Sequence, residues 1–408
     1  MPAGANSSLL NDILLSSTKQ SFDVRSTITY HLPVCLSYIA FAILAIRPGT
    51  RALRIALWPL VALLAFRAAT CVDLSNGNPR NAWFNVEFAL AMFCVGTRTL
   101  EWTFVKEPLK RHYRPANSTP SIVMDALDLT ANLRGIGWNW SKSIYVPPET
   151  RPTSSQTVFC VYIFVSILIR AFICGALHVA VRAFSPETFI VLSGGTIFDA
   201  SLPPLIRYVR SSIISVVAAL GMFSNMQLGY DVFTMIGVAV FRQEPAQWPP
   251  VFQVPWLATS LRDFWSRRWH QFFKHTYVIL GGRPLSFIFG RAGYIFGAFL
   301  ASGIFHNVVV IMLNDNVEMW CMLFSFGMMA TGIILEDVFT SLTGHKVGGW
   351  KGWLWTMAWL LMWGSLMMDG FARAGMFAGS NALDGASPAR AVVERYVFAF
   401  DNWLHTFA

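Results

Sequence analysis

Two histidines sit where an imidazole can do more than pack. His306 lies in "GAFLASGIFHNVVVIML", a run with no other ionisable side chain. An ionisable residue inside an apolar span is costly, so the default reading is functional; a histidine hydrogen-bonded between helices is the competing one. On a helix, Gly293, Gly297 and Ala301 form one small-residue face suited to close packing, and His306 points away from it, free to line a cavity. A neutral imidazole so placed can take a hydroxyl proton near neutral pH. His270 lies in "SLRDFWSRRWHQFF". Over about 257–275 the spacing predicts an amphipathic helix. Leu261, Trp265, Trp269, Phe272 and Phe273 gather on its apolar face, and Asp263, Ser266, Arg267 and His270 on the other. Such a helix lies at a membrane surface with its rings as anchors, with or without chemistry on its polar face. A metal pair with His275 is disfavoured, because five residues turn a helix by about 140°.

Other catalytic signatures are absent. The chain has no HExxH, GxSxG, GxxxxGK or GxGxxG, and none of its eight histidines is followed by Asp at HxxxD or HxxxxD spacing. No metal site and no bound cofactor is expected. The six cysteines (35, 71, 94, 160, 174 and 321) show no CxxC and read as small core residues.

The elements that must carry these histidines are set by composition. Hydrophobic residues make up 54% of the 408 and charged ones 13%, against about 25% charged in soluble domains. The fold class is all-α: a polytopic integral membrane protein, with about eight transmembrane helices near 28–46, 52–69, 82–98, 157–183, 212–240, 285–313, 317–340 and 352–371. A last stretch, Val392 to Phe407, reads as an interfacial helix anchored by Tyr396 and Trp403. Residues 1–27 form a polar segment without signal-peptide character, and 28–408 a single membrane-embedded domain. The net charge of +9 concentrates in the connection at Arg47, Arg51 and Arg54 and in the long connection 99–156, with Lys106, Lys110, Arg111, Arg114, Arg134, Lys142 and Arg151. That bias puts these connections, and 241–284 and 341–351, in the cytosol.

"LRDFWSRRWHQFF", followed some way on by a histidine in an apolar segment, resembles the wax-synthase branch of the membrane-bound O-acyltransferases. This branch includes plant wax synthases and fungal terpenoid and meroterpenoid acetyltransferases. "RGIGWNW", Arg134 to Trp140, is similar to an upstream segment of the fungal members. The resemblance implies that His306 is catalytic and that His270 occupies the family's second motif position, where sterol-type members carry Asn. It also implies an acyl-CoA donor and a lipophilic alcohol acceptor meeting in the bilayer, with no role for nucleic acid. His306 would act as general base for direct attack, and His270 would hold the thioester carbonyl or orient the acceptor. Arg262, Arg267 and Arg268, with Asp263, Trp265 and Trp269, would bind acyl-CoA. Ser302, Gly303 and Asn307 would line the passage to His306. The fungal likeness favours acetyl transfer to a terpenoid in secondary metabolism, in an endoplasmic reticulum membrane. A long-chain wax ester synthase is the alternative within the family. Outside it stand a transporter using His306 and Arg291, and a terpenoid isomerase or cyclase with Glu87, Asp231 or Glu336 as acid.

Overall fold

The computed structural model describes residues 19–78, 81–114, 120–141, 144–313, 318–379 and 388–407. Most of the expected polar amino-terminal segment, and Lys142, lie outside the described residues. The chain forms two compact units, Met1–Ser143 and Ile144–Ala408.

The first unit holds helices α1 (Leu32–Ile46), α2 (Arg51–Cys71), α3 (Ala82–Phe104) and α4 (Ile122–Ala131). Its core joins Phe41, Ala45, Ala65, Ala68, Trp102, Leu129 and Trp138. Tyr38 stacks on Trp102 with ring centroids 5.4 Å apart. Several arginines of this unit are bound into the fold. Arg54, buried, donates to the carbonyls of Trp102 and Val105. Arg98 donates to the carbonyl of Leu129 at 2.9 Å and lies over the Trp102 ring. Arg114 grips Asp125 through two nitrogens, and Arg111 reaches Asp128 at 3.0 Å. "RGIGWNW" is a turn of the same assembly. Gly135 and Gly137 have φ of 62° and 82°, a region a side chain rarely adopts. A Cβ on Gly135 would collide with the Trp140 ring.

The second unit holds α5 (Gln156–Phe184), α6 (Pro204–Met235), α7 (Arg283–Leu313), α8 (Trp320–Thr343), α9 (Gly349–Arg373) and α10 (Pro388–His405). Proline in the first turn of α6 costs no helix bond. Gly344, at φ 72°, ends α8 in the left-handed conformation, its N–H on the Thr340 carbonyl.

Among the described residues, six helical stretches are long and apolar enough to cross a bilayer: Val24–Ile46, Arg51–Cys71, Gln156–Phe184, Pro204–Val240, Lys274–Leu313 and Trp320–Thr343. The protein is a multi-pass membrane protein, as composition requires. Eight spans were expected; the segments at 82–98 and 352–371 are helical within α3 and α9 but fall short on apolarity. The described part of α3 carries Glu87, Arg98 and Glu101, and α9 carries Lys351, Asp369 and Arg373 with five tryptophans.

The stretch Lys274–Leu313 is a helical hairpin. Phe289 and Gly290 leave helical geometry, Gly290 at φ 56°, and the chain doubles back. The arms close on glycine: a Cβ on Gly281 would strike the Gly297 carbonyl, and one on Gly293 the Leu285 carbonyl. The face of Gly293, Gly297 and Ala301 therefore packs against the first arm.

The continuous amphipathic helix expected over 257–275 is broken. Leu261–Asp263 is α-helical and Phe264–Arg268 π-helical; the chain then opens at Trp269 and helix resumes at Lys274. The cause is Gln271, 2% exposed. Its Nε2 donates to the carbonyls of Trp265 at 3.0 Å and Trp269 at 2.8 Å, which a continuing helix would have needed for its own backbone.

Candidate active site

The broken motif segment enters the second unit between the ends of α8 and α9. There the Thr259 carbonyl lies against Gly352, and Leu261 against Gly332. Glu336 of α8 is the anchor. Its carboxylate accepts from the N–H groups of Leu261 at 2.7 Å and Arg262 at 3.1 Å, and from the Trp355 indole at 3.1 Å. From there the segment descends along the second arm of the hairpin. Trp265 meets Phe299 and Phe326, at 5.6 and 6.3 Å between centroids. Phe273 meets Phe305 at 4.6 Å. Phe305 is fourteen residues beyond Arg291, about 21 Å along a helix. The segment carries its histidine deep into the unit instead of leaving it at the surface.

His306 stands on the second arm, its ring 4.5 Å from Phe326 of α8 and 6.4 Å from Phe371 of α9. Its Nδ1 lies 2.7 Å from the carbonyl oxygen of Ser302. A carbonyl only accepts, so Nδ1 carries the proton and Nε2 keeps its lone pair. Held this way, the imidazole is a base with its free nitrogen at a defined place. Asn307, beside it, is buried, and its Oδ1 has no partner among the described residues. A Cβ on Gly303 would lie 3.3 Å from the Leu323 side chain and 3.4 Å from the Phe326 Cβ, so a larger side chain there would press on both residues.

His270 lies in an aromatic setting, 5.9 Å from Phe252, 5.3 Å from Phe272 and 6.5 Å from Phe273. Phe273 touches Phe305, which in turn lies 5.7 Å from His306. Two rings thus link the histidines. Trp269 stacks on Phe264 at 5.5 Å and packs edge-on to Phe252.

The three motif arginines divide. Arg262 pairs with Asp337 at 2.6 Å, and Asp337 also takes Arg291 at 2.8 Å. Arg268 pairs with Asp263 at 2.5 Å and donates to the carbonyls of Gln253 and Val254. Arg267 is exposed and lies over the Tyr145 ring at 5.7 Å. It alone of the three pairs with no carboxylate among the described residues. Sequence reasoning missed Gln271, Glu336 and Asp337 as anchors of the motif. The signal was present: each is a polar residue within or beside an apolar run.

The candidate site lies in a segment with known relatives. Residues 248–327, which contain both histidines, match the model of the membrane bound O-acyl transferase family. Acetyltransferase ple2 of Rhodocybe pseudopiperita is 26% identical over 63% of this chain and 70% of its own length. Acetyltransferase AOL_s00215g273 of Arthrobotrys oligospora is 26% identical over 84% of this chain and 77% of its own. Acetyltransferase spyB of Aspergillus fumigatus is 25% identical over 33% of this chain, and the match spans only 28% of spyB. The matched segment carries the motif and both histidines, so the chain is similar there to the membrane-bound O-acyltransferases and, over longer stretches, to fungal acetyltransferases.

Proposed function

We propose that the protein transfers an acetyl group from acetyl-CoA to the hydroxyl of a lipophilic alcohol of terpenoid type, in an endoplasmic reticulum membrane. The observation that carries this reading is the fixed His306 tautomer within the segment shared with the family. Nε2 takes the hydroxyl proton as the alcohol oxygen bonds to the thioester carbonyl carbon. The carbon–sulfur bond then breaks, and the coenzyme A thiolate recovers the proton from His306. His270 is the donor that steadies the carbonyl oxygen or the acceptor. Arg267, exposed and paired with no acid among the described residues, is the best placed of the three arginines to meet coenzyme A phosphate. The names of the relatives support acetyl over longer chains. The isomerase reading is disfavoured because two of its three candidate acids are engaged. Asp231 pairs with Arg170, and Glu336 holds the motif backbone.

The test is radiolabelled acetyl-CoA given to membranes containing the protein, with a panel of lipophilic alcohols and palmitoyl-CoA as the rival donor. Labelled acetyl ester, absent with His306→Ala, is expected. Palmitoyl ester alone would make the protein a wax synthase, and no ester from either donor would overturn the proposal.

A further inference from the structure

Arg170 stands at the middle of α5, fourteen residues from Gln156 and fourteen from Phe184, in the most apolar of the six spanning stretches. Its Nε lies 3.2 Å from Asp231 of α6 and 3.1 Å from the Ser166 hydroxyl. Asp231 is satisfied without further help: Ser166 donates to one oxygen at 2.8 Å and Gln227 to the other at 2.7 Å. The pair balances the charge, yet it uses only one of the guanidinium's three nitrogens. The two terminal nitrogens have no protein acceptor among the described residues, and the side chain is 31% exposed. Guanidinium donors left open in hydrocarbon are costly, so an oxygen ligand or water must meet them. A lipid phosphate sits at the interface, about 15 Å from the midplane, and is too far away.

The surroundings say what kind of ligand reaches this point. The guanidinium lies over the Phe223 ring at 5.9 Å. Phe223 meets Phe252 at 4.7 Å, and Phe252 meets His270 at 5.9 Å. All three side chains are half-buried. A bed of rings therefore leads from the intramembrane arginine to the motif histidine, apolar along its length and polar at both ends. Resting on the function proposed above, we propose that Arg170 is an acceptor-binding residue: it holds a second oxygen function, a carbonyl or carboxylate, at the end of the acceptor remote from its reacting hydroxyl. The acceptor is then an oxygenated skeleton with polar groups at opposite ends, not a simple long-chain alcohol. Arg170 selects for it and takes no part in the bond-making step.

A native reporter adjoins the site. Cys174, one helical turn from Arg170, is half-exposed, and its thiol lies 3.9 Å from the Asn225 side chain. Full-length protein in nanodiscs is treated with a charged, membrane-impermeant methanethiosulfonate, and modification at Cys174 is located by peptide mass spectrometry. The probes are dihydrotestosterone, which has a hydroxyl and a distant ketone, and its 3-deoxy analogue. Modification is expected, slowed roughly tenfold by the ketone but not by the deoxy compound, and that difference should vanish in Arg170→Gln. An unreactive Cys174 would show a dry, structural ion pair and overturn the proposal, as would equal protection by the two steroids. In turnover, Arg170→Gln should raise the apparent KM for the hydroxy ketone about tenfold and leave that for acetyl-CoA unchanged. Arg170→Lys, which keeps the charge, should recover part of the loss. If neither steroid nor any other alcohol is acetylated, the function proposed above fails, while the labelling result still decides the binding site.

Discussion

At the scale of single residues, the site depends on which nitrogen of one histidine is free. With Nδ1 committed to the Ser302 carbonyl, His306→Ala removes the proposed base without removing a hydrogen bond the helix needs. Turnover should fall about 10²–10⁴-fold, as for loss of a general base, with expression and membrane insertion retained. Turnover within threefold of wild type, read as initial acetylation rates, would make the histidine structural. Arg267→Gln should raise the KM for acetyl-CoA roughly tenfold and flatten its salt dependence. Arg268→Gln acts differently, because Arg268 is tied to Asp263 and two carbonyls; it should lower stability more than donor affinity. His306 was legible in the sequence because an ionisable group in an apolar run is conspicuous. The division among the arginines was not, because it depends on Asp337 and on the Gln253 and Val254 carbonyls. Those partners are distant in sequence and within reach only after folding.

At the scale of elements, the site is made by a hairpin and a segment that breaks. The small-residue face of Gly293, Gly297 and Ala301 was readable from its spacing. The turn at Phe289–Gly290 was not, since one glycine in an apolar helix is ordinary until its φ is known. The motif was misread as one surface helix for a related reason. Its periodicity is helical as far as Arg268, and the break belongs to a single buried amide, Gln271, whose bonds no spacing rule anticipates. The hairpin makes a sharp prediction. Gly281→Leu puts a side chain against the Gly297 carbonyl, backbone that cannot rotate aside. The arms must part, at a cost of about 1–3 kcal/mol, and Phe273 must leave Phe305. Thermal unfolding in detergent should show a clear loss of stability together with loss of acetylation. Gly96→Ala, where a Cβ meets nothing within 4 Å, should be neutral or slightly stabilising.

The carboxyl-terminal helix gives a second test at this scale. His405 of α10 lies 3.0 Å from Asp199, and Arg210 grips Asp401 at 2.6 Å. The Asp401 carbonyl, and then the bond to Asp199, raise the His405 pKa against the opposing effect of burial. Burial works against an ionised Asp199, but bonds from Ser201 and His405 outweigh it and hold its carboxyl at about 2. A raised histidine pKa stabilises the fold fully below the unfolded value and loses that stabilisation as pH rises through the folded one. The melting temperature should therefore fall as the pH is raised above the ordinary histidine value of about 6.5. The fall should be smaller in His405→Gln. An identical slope in the variant would remove His405 from the docking of α10.

At the scale of the molecule, what matters is which end of each unit faces the cytosol. In the first unit, the turn between α1 and α2 lies at the same end as the segment after α3, since Arg54 reaches Trp102 and Val105 and the Leu109 N–H bonds the Ala45 carbonyl. The opposite end carries the pairing of Gln20–Ser21 with Val72–Asp73. In the second unit, the motif entry lies with the ends of α8 and α9, through Glu336 and Trp353. The other end gathers Thr196 on Asp369, Arg210 on Asp401 and His405 on Asp199. Lysines and arginines of short connections stay in the cytosol, which predicts that side for the end of the second unit bearing the motif arginines. The proposed donor would require this as well, because coenzyme A cannot cross lipid to meet Arg267. An epitope tag inserted in the α8–α9 connection at His345 should then be cleaved by protease added to sealed microsomes. A tag following α10 should survive until detergent opens the vesicle. The reverse pattern would place the motif arginines away from the acyl-CoA pool, and the donor assignment would fall with the topology.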